Sequence, residues 1–184
     1  MGRLGQSMPN FNARGTQFRL SVEKLCQKDF SKSWLSKKAW ELVVEKMSIP
    51  CVDMIFQHCN GSILFGWRLI KPYNNVWALP GGRMLRGESL VRCASRIGDE
   101  YGLSFKELYL TGVFPINFGW RSDVPTCLTA RQVSGTPCVD GFEFSKFSWR
   151  HIPPSRTGKN YCRMVSRWMK ISSSRKFLDL NRLL

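Results

Sequence analysis

A chain of 184 residues, 43% of them apolar, is long enough to bury a core, and it has no apolar run long enough to cross a membrane. Its net charge of +15, with a sequence pI of about 10.0, creates a positive field that attracts phosphorylated ligands, nucleic acid among them. Two histidines and seven cysteines with no Cys-x-x-Cys pair argue against a zinc site. With no apolar signal core near the N-terminus, they point to reduced thiols in a cytoplasmic protein.

Residues 1–33 mix Gly, Asn, Ser and Gln with isolated apolar residues and read as a loosely ordered basic extension. Residues 34–170 read as the folded domain, and 171–184 as a basic tail ending in a docked turn or short helix. Trp40, Val43, Val44 and Met47 share one helical face, which predicts a helix over 34–47 that Pro50 stops. Cys51 to Phe56 reads as a buried strand, Asn60-Gly61 as a hairpin turn and Ser62 to Trp67 as the return strand. His58, beside that turn, reads as an exposed loop residue. A loop over 71–75 leads to a strand at Trp77.

Further strands are predicted over 107–118 and 125–133, and a loop followed by a short strand over 143–149. Tyr161, Met164, Val165 and Trp168 predict a last helix over 157–169.

The chemistry is concentrated in residues 77–103. An apolar strand end runs into Pro80-Gly81-Gly82-Arg83, a turn ends at Gly87-Glu88, and a helix follows that carries Arg96, Asp99 and Glu100 and stops at Gly102. Glycines let a backbone carbonyl approach a ligand, and helix acids hold an oxygen-loving cation such as Mg²⁺ against a diphosphate. This layout resembles the Nudix box, G-x5-E-x7-R-E-U-x-E-E-x-G-U with U apolar. Gly82, Glu88, Arg96 and Gly102-Leu103 match it. Ile97 replaces the Glu after the arginine, and the interval to Gly102 is one residue short, so a deletion near Gly98 would bring Asp99-Glu100 onto the Glu-Glu pair.

The resemblance implies an α/β (α+β) fold, an α-β-α sandwich with a mixed sheet between helices, and a Mg²⁺-dependent hydrolase (Mn²⁺ being the alternative ion). It narrows over residues 35–170 to the GDP-mannose mannosyl hydrolase subgroup, whose nucleotide-sugar residues match Asp53, Arg68, Arg83 and Arg96. Planar guanidinium groups suit a leaving diphosphate. Glu88, Arg83 and Arg96 are the expected catalytic residues. Gly81, Gly82, Asp99, Glu100 and Glu143 are the expected metal ligands. The subgroup's late-loop His falls on Phe144, which carries no proton. That leaves Glu88, Glu143, Asp123, Asp140 or a differently routed His151 to activate water, and implies that a histidine at 144 would raise turnover.

The expected partner is a nucleotide sugar such as GDP-mannose or another nucleoside diphosphate derivative, with no membrane; a homodimer and nucleic acid on the basic surface are compatible with the sequence. Two alternatives stand beside this reading: a Nudix enzyme acting on RNA ends or free nucleotides, and a weakly active or inactive Nudix-fold binding protein.

Overall fold

A computed structural model describes residues 36–139, 141–174 and 178–180. The expected N-terminal extension therefore lies outside the described residues, as do Asp140 and the terminal leucines 183 and 184. Contacts divide the chain into two units, Met1–Trp40 and Glu41–Leu184. The boundary falls within helix α1, Lys37–Lys46. In the second unit Val43 and Val44 are half-buried, while Met47 is 62% exposed and lies off the face expected for it.

The centre of the molecule is the pairing of β1 (Ser48–Phe56) with β8 (Ser122–Arg131). These strands run parallel in an unbroken register from Ser48↔Ser122 to Phe56↔Ala130. Val52, Met54, Ile55, Phe56, Leu128 and Ala130 have no exposed surface. That is what a strand covered on both faces requires, and it explains why its apolar residues run together instead of alternating.

β4 (Gly81–Arg83) pairs antiparallel on the outer side of β1. On the far side lie β6 (Glu107–Val113) and then β11 (Leu178–Asp179), while β7 (Ile116–Asn117) also pairs with β8. A smaller antiparallel sheet orders β10 (Phe144–Arg150), β2 (Ile63–Arg68) and β3 (Val76–Ala78). β5 (Leu103–Ser104) and β9 (Ser134–Gly135) form a short ladder.

Helix α2 is Leu90–Glu100, and Ser89 caps it by accepting the Arg92 amide at 3.3 Å. Its buried Cys93, Ala94, Ile97 and Gly98 form one stripe. A Cβ at Gly98 would sit 2.7 Å from the Leu103 carbonyl oxygen, so glycine lets the following strand cross the helix end closely. Helix α3, Lys159–Ser174, buries Tyr161, Met164, Val165, Trp168 and Ile171.

The two helices lie on opposite faces of the main sheet. Ile97 of α2 meets the Gly82 face, whereas Tyr161 of α3 is electrostatically coupled to Asp53 on the other. The architecture is the expected mixed α+β sandwich.

Several boundaries differ from the sequence expectations. The strand expected over 107–118 is two strands, β6 and β7. β10 begins at Phe144, with a register irregularity before Phe147 that broke its alternation in the sequence. Helix α3 starts two residues later and ends five later than expected, at Ser174. The described part of the tail is a strand, with Leu178 opposite Leu110 and Asp179 opposite Tyr109. Its apolar residues complete a sheet edge instead of a helix face, and Leu180 is buried beside it.

Candidate active site

The box forms one cluster at the edge of the sheet. Arg96 donates from Nε to Glu88 Oε1 at 2.8 Å and from Nη2 to Glu88 Oε2 at 3.0 Å, a bidentate fork. The Leu85 amide donates to the same carboxylate at 2.9 Å, so both Glu88 oxygens are engaged. Arg96 also donates to Glu100 Oε1 at 2.8 Å and to the Arg83 carbonyl at 2.9 Å. One guanidinium thus ties the Gly-Gly strand, the turn and the helix together. Burial pushes the Glu88 carboxyl up, but hydrogen bonds from Arg96 and Leu85 and the Arg96 charge outweigh it, holding the pKa below the ordinary range. The Glu88 bonds in turn raise Arg96 despite partial burial.

Helix α2 runs unbroken from Leu90 to Glu100, so Glu100 stays one turn beyond Arg96. The missing residue therefore falls at the end of the helix, not at Gly98. Glu100 takes the first place of the family's Glu-Glu pair, exposed Asp99 precedes it, and Tyr101 takes the second place. Tyr101 is 2% exposed and packs edge-on against Phe144 and Phe147, so no carboxylate enters there.

The β4 ladder also sorts the two glycine carbonyls. The Met54 amide donates to Pro80 O at 2.8 Å and the Met84 amide to Pro50 O at 3.0 Å. Between these bonds an antiparallel ladder turns the Gly82 carbonyl toward β1 and the Gly81 carbonyl away from it. The outward direction is also that of the Arg83 carbonyl, which meets Arg96.

A second cluster lies on the opposite face, around Asp53. Arg68 of β2 pairs with Glu143 at 2.6 Å and donates to the Ile70 carbonyl at 3.2 Å and the Tyr161 hydroxyl at 3.5 Å. Asp53 keeps a partly open edge, but its carboxyl is deep enough that burial is the main force lifting its pKa from 3.8 to about 7. Arg68 opposes that shift, while Asp123 and Glu143 add to it. Gly81 is required beside Asp53, because a Cβ there would overlap the Asp53 carboxylate and lie 2.7 Å from the Val52 carbonyl oxygen. Arg83 points its charge toward this cluster. Its pKa is lowered by burial and Arg121, against the pull of Cys51, Asp123 and Glu143. Asp123 is itself held by Arg121 at 2.5 Å.

Of the expected residues, the fold brings Asp53, Arg68, Arg83 and Glu143 into one field, and Glu88, Arg96 and Glu100 into another. Glu143 and Glu100 sit in separate ion pairs, Glu143 with Arg68 and Glu100 with Arg96. Among the described residues no three His, Cys, Asp or Glu side chains gather as a ready metal cage. Mg²⁺ needs only one or two carboxylates when substrate phosphates supply other oxygens. The donor set that fits is the half-exposed Glu100 carboxylate with the outward Gly81 carbonyl.

Phe144 is fully buried against Tyr101, Phe147 and the Gly66 backbone, so its side chain belongs to the core and not to the site. His58 is half-buried and packs on Trp149 at 5.3 Å, where an exposed position was expected. His151 is exposed beyond β10. All six described cysteines are free thiols. No helix among the described residues is long and apolar enough to cross a membrane.

Sequence reasoning missed Tyr161 and Arg121 as members of the site. Tyr161 was legible only as a core position of a helix, and Arg121 had no motif around it.

No family model matches the sequence. The low-salt glycan biosynthesis protein Agl8 of Haloferax volcanii is 33% identical over 61 residues, a match spanning 33% of this chain and 38% of that protein. Solved structures share the fold much more widely. The MutT Nudix hydrolase of Burkholderia pseudomallei superposes with a TM-score of 0.62 at 20% identity, covering 66% of this chain and 98% of that one. The MutT protein of Methanosarcina mazei gives 0.62 at 17% identity over 70% and 98%. The Nudix domain of Shewanella oneidensis NrtR, in complex with ADP ribose, gives 0.58 at 18% identity over 78% and 96%. Taken with the Glu88–Arg96 clasp and the parallel β1–β8 pair, these likenesses establish that the chain has the Nudix fold and resembles the Nudix hydrolases.

Proposed function

We propose that the protein is a Nudix hydrolase of a nucleoside diphosphate derivative, with a nucleotide sugar as substrate. The observation that carries this reading is the gathering of Arg68, Arg83, Asp53 and Glu143 on the sheet face behind Gly81. Two guanidinium groups there match a diphosphate, and Asp53 matches a sugar or base hydroxyl. The ADP ribose bound by the NrtR Nudix domain and the glycan role in the name of the Agl8 relative support a ligand of this class.

Glu100 and the Gly81 carbonyl would hold the divalent cation. When bound, Mg²⁺ neutralises negative charge developing on the leaving diphosphate. Arg96 positions Glu100 and clamps the Gly-Gly strand through the Arg83 carbonyl. Glu88, with both oxygens engaged, positions Arg96 and is no base. Substrate phosphate on Arg68 competes with Glu143 and loosens that ion pair. The Glu143 carboxylate, first expected at the metal, is then the group that takes a proton from water.

A second reading, binding with little turnover, draws on the fact that Glu88, Glu100, Glu143 and Asp123 each pair with an arginine.

Hydrolysis of a nucleotide-sugar panel with Mg²⁺ or Mn²⁺ in ¹⁸O-water tests both readings. Label in the sugar identifies attack at carbon with release of intact nucleoside diphosphate, and label in a phosphate identifies attack at phosphorus. Binding without product selects the second reading. No binding of GDP-sugars at millimolar concentration removes the nucleotide-sugar reading. Glu100→Gln should weaken Mg²⁺ binding by about 10²-fold, the scale on which metal sites respond to altered ligation; an unchanged Mg²⁺ titration would remove Glu100 from the metal site.

A further inference from the structure

Helix α3 has a basic outer face that the site above does not use. Its sixteen residues include four cations, Lys159, Arg163, Arg167 and Lys170, and no acid. All four are exposed, and among the described residues none is in an ion pair. At about 100° per residue they fall within roughly 80° of one another around the helix. They extend about 16 Å along its axis. The opposite face is the buried stripe from Tyr161 to Ile171, so folding leaves the cations outward as a continuous row.

The row borders an open, shallow groove of about 440 Å³ lined by Phe114, Cys162 and Ser166 together with the four cations. Phe114, half-buried after β6, brings an aromatic ring to an otherwise cationic groove. A flat anionic bilayer would meet the four cations and leave the groove with its ring unfilled. An acidic protein segment would match the charge and leave the ring without a planar partner. A strand with phosphates along its backbone and a base able to lie against a ring uses both features, and this volume admits about one nucleotide.

We propose that the outer face of α3, with the Phe114 groove, binds single-stranded nucleic acid, phosphates along the Lys159–Lys170 row and one base against Phe114. This stands independently of the proposed nucleotide-sugar chemistry on the other residues.

Fluorescence anisotropy of the full chain with a labelled oligonucleotide of roughly 12 nucleotides, oligo(U) in one arm and oligo(dT) in the other, tests it. Binding should be submicromolar at about 50 mM salt and fall steeply as salt rises. The double charge reversal Arg163→Glu/Arg167→Glu should weaken binding at least about 10-fold and lower the salt slope by about 1.4, the value for two lost single-strand phosphate contacts. The control Arg86→Glu/Arg150→Glu makes the same change in net charge at exposed positions elsewhere and should cost much less. Thermal melting by circular dichroism confirms that both variants fold. Phe114→Ala should weaken binding with an unchanged salt slope. No binding by the parent protein at about 50 mM salt, or equal losses in both double variants, overturns the proposal. It is likewise overturned if the α3 variant loses binding to phosphatidylserine vesicles while keeping the oligonucleotide.

Discussion

The two clusters use the same chemistry, carboxylates with arginine, and reach opposite electrostatic states. In the box, Glu88 receives a bidentate Arg96 fork and a backbone amide, and its pKa is driven down. On the sheet face, Asp53 is desolvated among other acids, and its pKa is driven up to about 7 although Arg68 is nearby. What differs is where each arginine spends its hydrogen bonds. Arg96 gives its best geometry to Glu88, while Arg68 gives its short contact to Glu143 and leaves Asp53 only a through-space attraction. The first arrangement fixes a loop. The second leaves Arg68 in one ion pair, beside a carboxyl able to titrate near neutrality.

Removing each arginine gives the largest contrast. Arg68→Ala leaves Glu143 and Asp53 as poorly solvated acids with less compensation, and it should cost about 3–5 kcal/mol. Arg96→Ala should cost less, about 1–3 kcal/mol, because Arg96 is 28% exposed against 13% for Arg68 and water can replace it. Urea unfolding of the two variants checks the order. An equal or greater loss in Arg96→Ala would mean the box carries more of the fold than the sheet-face cluster.

Phe144→His sharpens the boundary of the second cluster. The sequence alignment implies restored catalysis, whereas the fold buries this side chain among Tyr101, Phe147 and the Gly66 backbone. Burying an imidazole there should destabilise the protein by about 2–4 kcal/mol with no gain in turnover. A gain in kcat would show that residue 144 reaches the site.

The box was readable because it is local. Gly82, Glu88 and Arg96 match the Nudix box within fifteen residues, but the clasp itself was not legible, because Glu88 lies in the turn before the helix and only the fold of that turn brings it to Arg96. The central strand was readable too, since a run such as Val52 to Phe56 can be satisfied only by cover on both faces. The second cluster was half readable. Asp53, Arg68 and Arg83 came from the resemblance to the mannosyl hydrolase subgroup, but Tyr161 joins from 93 residues beyond Arg68, and only the packing of α3 brings them together. Glu143 was identified and assigned a different neighbour, because no local rule tells a carboxylate after an irregular loop whether it will meet a helix end or an arginine. The β11 pairing was hidden for a similar reason: two residues carry no period.

The opposite pKa directions predict opposite pH dependences. Asp53 binds its proton more tightly in the folded chain than in the unfolded one, so its contribution is present at low pH and is lost as pH rises from about 4 to about 7. Asp53→Asn should therefore be more stable than the parent at pH 8, with the difference closing below pH 5. Glu88, lowered from 4.5, contributes above that value and loses its contribution as pH falls. Glu88→Gln should be less stable than the parent at neutral pH and approach it in acid. Unfolding midpoints measured across this range check both signs, and parallel curves for the two variants would remove the electrostatic contrast between the clusters.

The smallest effect is expected at the edge of the second cluster. Tyr161 is buried, its hydroxyl is kept protonated chiefly by burial and then by Asp53, and it stands 3.5 Å from Arg68 Nη1. A contact that long is weak, so Tyr161→Phe should change stability by only about 0.5 kcal/mol while leaving the ring packing with Tyr73 in place. Its value lies in what it does to ligand binding. If Arg68 is the group that turns from Glu143 to a diphosphate, the Tyr161 hydroxyl is one of the anchors that aim it, and losing that anchor should raise the dissociation constant for a nucleoside diphosphate sugar about two- to fivefold. The same variant should leave Mg²⁺ binding at Glu100 unchanged, because the box shares no hydrogen bond with Tyr161. Calorimetric titration of Tyr161→Phe with GDP-mannose and, separately, with Mg²⁺ reads both. Equal weakening of the two would show that the clusters act as one site, and no weakening of the nucleotide sugar would place its diphosphate away from Arg68.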